Sequence, residues 1–171
     1  VLTAYMGNAL CVGLKSKGTM AEPKHFAFNH QEANRSGLST FMTEQAAREN
    51  ELRGFMMCMS SNNAQGVMTA FNRAGTSFVG AYKNLLENIT RNEWGYQGLV
   101  MTDWTASEKN PGEHAECILA GNDLIMPGHS GAKKELTAAL KSNKISRRDL
   151  ELAAANVLNV IFTSNVWEIE K

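Results

Sequence analysis

Short apolar runs alternate with stretches of helical period along this chain, and that alternation predicts βα units on a parallel sheet. Four strand segments stand out, at residues 21–28, 66–71, 98–102 and 123–126. Pro23 restricts the first of them to a strand start or an edge, because proline donates nothing to a ladder. Leu52, Phe55, Met56 and Met59 recur at i, i+3, i+4 and i+7, as do Tyr82, Leu85, Leu86 and Ile89, so each set forms one face of a helix. Ser146 followed by Asp149 reads as a capping box, and Leu150, Ala154, Val157, Leu158 and Ile161 predict one apolar stripe on the helix behind it. Another helix is expected over residues 132–141, and the chain opens on a stretch that already reads as helical. The pattern therefore predicts an α/β chain of four parallel βα units, in one continuous domain that no Pro-, Gly- or Ser-rich linker divides.

Composition narrows the choice of ligand. The 171 residues are 43% hydrophobic, enough to bury about two thirds of the unfolded surface, so a folded domain is expected rather than a disordered chain. Seventeen Lys plus Arg balance seventeen Asp plus Glu. No net field then favours nucleic acid or anionic lipid, and a small or neutral ligand fits better. No run of about 18 apolar residues predicts a membrane span. Cys11, Cys58 and Cys117 are odd in number, widely spaced and set among apolar residues. They read as buried thiols of a reducing, cytoplasmic setting rather than as disulfides or a zinc knuckle. His114 stands with Glu113 and Glu116 but has no second histidine at i+4, so no metal site is expected. Phosphate-loop glycines and a Gly-x-Ser-x-Gly elbow are also missing, and no cofactor is expected.

In parallel α/β architectures chemistry collects where strands end and loops turn towards helices. Lys24, His25, Asn29, His30, Glu32 and Arg35 lie within or after the first segment, and Asn72 and Arg73 follow the second. The third ends in Asp103 and Trp104, and the fourth in Pro127, Gly128 and His129. A carboxylate, two or three cations and an indole suit a neutral polyol: cations donate to hydroxyls, and the ring covers C–H groups. Asp103 is the pivot. Beside Lys24 or Arg35 its pKa is expected to fall, keeping it ionised as a nucleophile; the competing reading makes it the N-cap of the next helix. On spacing alone Lys24 and His25 read as a solvated loop pair, and His30 and His129 as surface loop residues.

Four ordered motifs give these residues a family resemblance. They are residues 24–29 (Lys-His-Phe-Ala-Phe-Asn) with 31–35, the strand 67–72, the segment 91–104 ending in Met-Thr-Asp-Trp, and 120–128. Together they closely resemble family 3 glycoside hydrolases of the bacterial β-glucosidase type. The resemblance implies a retaining β-glycosidase on a (β/α)8 barrel, with Asp103 as the nucleophile that forms the glycosyl-enzyme intermediate. It further implies that Lys24, His25 and Arg35 grip sugar hydroxyls, and that Met68, Phe71 and Trp104 belong to the same substrate-binding pocket. Two departures stand out. Phe71 occupies a position that is commonly Tyr in the family, and residues 27–30 lack the Pro-Gly-His-Gly signature of the N-acetylglucosaminidase branch, so His30 is read as noncatalytic.

The resemblance also implies missing parts. In such β-glucosidases the acid/base Glu comes from a separate domain, and the first barrel half supplies a substrate-binding Asp and a further Arg; none has a match here. A closed barrel takes about 250 residues, so residues 1–171 are expected to form a partial barrel, equivalent to its second half. The chain is accordingly expected to be a fragment that works with the missing half and the acid/base domain, or by self-association, on a β-glucoside or short oligosaccharide. A noncatalytic sugar-binding or scaffold fragment, and a parent β-xylosidase or other exo-glycosidase, remain open alternatives.

Overall fold

The structure is a computed structural model that describes residues 1–104 and 114–168. α1 (Leu2–Lys15) buries Ala4 and Cys11 and ends with Lys15 in its last turn, where a cation meets the negative end of the helix. After a loop comes the two-residue β1 (Ser39–Thr40). The hydroxyl of Thr43 then accepts from Ala46 N at 3.2 Å and starts α2 (Glu44–Ala46), which runs through a π-helical turn (Ala47–Glu51) into α3 (Arg53–Met59). β2 (Gly66–Met68) follows, then a tight hairpin of β3 (Arg73–Ala74) and β4 (Ser77–Phe78), turned at Gly75 with φ 58°. A π-helix (Asn84–Glu93) leads to β5 (Leu99–Met101). The remaining helices are α4 (His114–Ala120), α5 (Ser130–Lys141) and α6 (Arg147–Thr163), and a 3-10 turn (Asn165–Glu168) closes the described chain.

The four expected strand segments lie side by side and parallel. β2 pairs with β5 in the register Gly66 with Leu99 through Met68 with Met101. On one flank Phe26 bridges Thr69, and on the other Met101 bridges Leu124. Only the middle two carry a ladder, so the outer segments are shorter as strands than the apolar runs predict. Pro23 has no N–H to give, though its carbonyl accepts from Met68 N at 3.4 Å, and the shortest bonds of this pairing are Phe26 N to Met68 O at 2.8 Å and Ala70 N to Phe26 O at 2.7 Å. A second small sheet, β1 parallel to β3 and β3 antiparallel to β4, was not expected; two-residue strands are too short to leave an alternation in the sequence.

Packing follows the helical faces. Phe26, Met59, Val67, Leu85, Leu86 and Val100 are all under 2% exposed, with Phe26 held between Phe55 at 4.9 Å and Trp94 at 6.0 Å between ring centroids. Burying each such side chain contributes about 1.5–3 kcal/mol, so this cluster joins α3 and the π-helix to the sheet. The capping box is present: Ser146 Oγ accepts from Asp149 N, and the Asp149 carboxylate accepts from Ser146 N at 2.7 Å. The stripe expected behind it is corrected. α6 buries Ala153 and Val160, while Leu158 (49%) and Ile161 (40%) face outward, so the buried face is rotated away from the larger apolar residues. All three cysteines are free and buried; burial and the neighbouring Cys11 push the Cys58 thiol up to about 12. Among the described residues no helix is long and apolar enough to cross a membrane.

Candidate active site

β5 is pinned from both sides just before Asp103. Thr69 N donates to Met101 O at 2.8 Å, Thr102 N donates to Leu124 O at 3.0 Å, and the Thr102 hydroxyl accepts from Met126 N at 2.9 Å. The next residue therefore projects from the carboxyl end of a fixed strand. Asp103 is 7% exposed, and its Oδ2 lies 3.3 Å from His25 Nε2. The expected fall in its pKa does not occur. Burial pushes the carboxyl above the ordinary range, and the counteracting pull of His25, then Arg35, then Lys24 is the smaller effect. Burial likewise lowers His25, with Lys24 and Arg35 adding to that and Asp103 opposing it. The imidazole is then neutral at pH 7, and with the proton on Nε2 it donates to the carboxylate.

The other expected site residues distribute around this pair. Lys24 is exposed beside His25, on the first segment. Arg35 comes from the loop behind that segment; its Nη1 lies 3.0 Å from Glu32 Oε2, and its Cζ lies 4.3 Å from the centroid of the Phe71 ring. Phe71, 5% exposed just beyond β2, thus carries a guanidinium where the family's commoner Tyr would offer a hydroxyl. Met68 is a buried residue of β2. Trp104 is 54% exposed and has φ 27°, a backbone region that non-glycine residues enter rarely. The residues after Trp104, with the question of whether Asp103 caps a helix, and Glu113 lie outside the described residues.

Three further polar groups stand out: the sequence placed Asn29 and Asn72 at strand ends without assigning them a role, and it passed over Glu22. The side-chain oxygens of Asn29 and Asn72 are buried with no partner among the described residues, each where an apolar segment ends. Both are acceptors suited to hydroxyl donors, and their place directly after apolar runs was the available signal. Glu22, raised by burial, shares the electrostatic field of Lys24 and Asp103. A cavity of 680 Å3 opens beside the first segment, lined among others by Lys24, His25, Asn29, His30, Glu51 and Arg53. His30 is exposed and paired with Glu51 there. His129 is exposed as expected and also caps α5, its Nδ1 accepting from Gly131 N at 2.9 Å. His114 is buried and paired with Glu135, and no group of metal-binding side chains occurs among the described residues.

One buried carboxylate has a different character. Asp123 opens the fourth segment and accepts from Arg91 Nη2 at 2.6 Å, Val100 N at 2.8 Å and Asn156 Nδ2 at 2.7 Å. Arg91 also donates to Gly98 O and Tyr96 O, so this ion pair ties the π-helix, β5 and α6 together below the site.

An α/β chain of parallel strands thus carries a buried carboxylate, a histidine and two cations about the ends of its strands. The sequence model described as the Glycosyl hydrolase family 3 N terminal domain matches residues 1–160, and the chain belongs to that family. A protein named "Probable beta-glucosidase I" from Aspergillus niger is 36% identical over 162 residues, which are 94% of this chain and 19% of that protein. Beta-glucosidase B of Emericella nidulans is 35% identical over 158 residues, 91% of this chain and 18% of its own. The chain thus spans about a fifth of the length of the curated relatives it matches. Among solved structures, beta-glucosidase 3B from Thermotoga neapolitana in complex with glucose superposes with a TM-score of 0.88 at 34% identity, covering 96% of this chain and 24% of that one.

Proposed function

We propose that this chain is part of a retaining β-glycosidase of the β-glucosidase type, in which Asp103 attacks the anomeric carbon of a terminal, non-reducing β-D-glucosyl residue. The attack forms a glycosyl ester on Asp103 as the bond to the aglycone oxygen breaks. A second carboxyl protonates that oxygen and then deprotonates the water that hydrolyses the ester. The observation that carries the reading is the buried Asp103 at the carboxyl end of β5, 3.3 Å from His25 and in the field of Arg35 and Lys24. Membership of the family and the glucose complex of the Thermotoga neapolitana relative support it.

In this reading Lys24, His25 and Arg35 donate to sugar hydroxyls, while Met68, Phe71 and Trp104 line the wall of the pocket. The segments through Phe26, β2, β5 and Leu124 are four βα units of a (β/α)8 barrel. The other half, the acid/base Glu and the remaining sugar ligands come from the rest of a longer protein or from self-association. The acid is then the part most missed by ordinary substrates, and a leaving group that needs no protonation bypasses it. Incubation with 2,4-dinitrophenyl β-D-glucoside is expected to release dinitrophenolate. Asp103→Gly lowers that release about a thousandfold, and azide restores it with formation of the α-glucosyl azide. Release that Asp103→Gly leaves unchanged would overturn the assignment, and glucose binding with no release points to a noncatalytic sugar-binding fragment.

A further inference from the structure

Arg35 reaches the site from a loop with no regular secondary structure, so something else has to place its charge. The loop is fastened to the sheet by Arg73 N donating to Leu38 O at 3.0 Å, three residues beyond Arg35. Among the described residues the guanidinium has two contacts: the Glu32 carboxylate at 3.0 Å, which is 79% exposed in its side chain, and the face of the buried Phe71 ring at 4.3 Å. The exposed pair contributes little on its own, because water and salt screen it. The ring is different. It is buried, fixed at the end of the strand that neighbours β5, and its π face attracts a cation with directional preference.

We propose that Phe71 is a positioning residue whose ring holds the Arg35 guanidinium at the flank of the Asp103 carboxylate, a task that the phenyl face performs without any hydroxyl. The proposal rests on Asp103 being the reacting group, and it names what substitutes for the phenol donor that a Tyr would bring. Among the described residues, Arg35 and Lys24, together with the His25 imidazole, favour the ionised form of Asp103, and Glu32 and Glu22 oppose it. Of the cations, Arg35 is the one whose position depends on Phe71. Loosening it therefore weakens the pull on Asp103 and leaves Lys24 and His25 in place.

The test reads the carboxyl directly, by 13C NMR titration of Asp103 in the whole chain, and needs no turnover. Glycoside hydrolysis can then fail while this inference stands, and the reverse. Phe71→Met keeps an apolar side chain of similar volume but no ring, and the Asp103 midpoint is expected to rise by about half a pH unit. Arg35→Gln raises it by at least as much. In the double variant Phe71→Met adds nothing to Arg35→Gln, because the cation it placed is gone. Phe71→Tyr retains the ring and leaves the midpoint at or below that of the unmodified chain. A shift from Phe71→Met that persists in the Arg35→Gln background, no shift at all, or a midpoint raised in Phe71→Tyr overturns the proposal. Where Phe71→Met does not fold, as its amide spectrum shows, Phe71→Tyr against Arg35→Gln gives the same decision.

Discussion

Asp123 and Asp103 sit on adjacent parallel segments, both buried and both raised in pKa by burial, yet they are equipped differently. Asp123 accepts from a guanidinium, a backbone N–H and a side-chain amide, all within 2.8 Å. Among the described residues Asp103 has one basic side chain within 4 Å, the neutral His25 at 3.3 Å, with Arg35 and Lys24 acting from further away. A carboxylate that accepts from three donors across both oxygens is fixed in place and has little acceptor capacity to spare. One that is desolvated but incompletely paired keeps its nucleophilic oxygen available and gains when a substrate supplies the absent donors. The pairing of Asp123 suits holding the sheet together, and that of Asp103 suits the attack proposed for it.

Removing each carboxylate should therefore have opposite consequences. Asp123→Ala leaves Arg91 partly buried without its partner and frees β5, and is expected to cost about 3 kcal/mol in urea unfolding. A loss no larger than that of an ordinary surface substitution would remove the distinction between the two residues. Asp103→Asn should raise the melting temperature at pH 7 by about 2 °C. The sign follows from burial: a carboxyl raised above its unfolded value of about 3.9 binds its proton more tightly when folded, so its ionised form destabilises the chain at neutral pH. The advantage of Asn shrinks as the pH falls from above the folded pKa towards that unfolded value, where native Asp103 is itself protonated. A variant that is less stable at pH 7, or whose advantage grows on acidification, would contradict this sign.

The smallest effect lies on His25. Its titration midpoint should lie below 6.5 by imidazole NMR, because burial is the dominant influence, and Asp103→Asn should lower it further by removing the charge that raises it. A midpoint unchanged in the variant would mean that the two groups do not face one another in solution.

Much of this arrangement was readable from the amino-acid order, because period and strand ends are local properties. The four segments, the helix faces at Leu52 and Leu85, and the capping box at Ser146 all depend on residues within a few positions of each other. The motifs carrying Lys24, His25, Asp103 and Trp104 were legible for the same reason. Asp123 was not, since its partners Arg91, Val100 and Asn156 come from three separate elements and nothing about its own neighbourhood in sequence distinguishes it from any strand residue. The direction of the Asp103 shift was missed because sequence displays the nearby cations but not the degree of desolvation. On α6, apolar spacing predicted a stripe that includes Leu158 and Ile161, whereas the sheet side is occupied by Ala153, Asn156 and Val160. Close approach there favours small side chains over large ones. Phe71 shows the limit in another way: a missing hydroxyl is visible in the sequence, but the Arg35 guanidinium stacked on the ring is not.

The central claim is that Asp103, and not its better-satisfied neighbour, is the nucleophile. Incubation with 2-deoxy-2-fluoro-β-D-glucosyl fluoride, whose fluorine slows hydrolysis of the glycosyl ester, followed by peptide mapping, tests it most directly. A covalent fluoroglucosyl adduct on the peptide bearing Asp103, absent in Asp103→Asn, is the predicted result. An adduct on Asp123 or another carboxylate, or one that persists in Asp103→Asn, would contradict it.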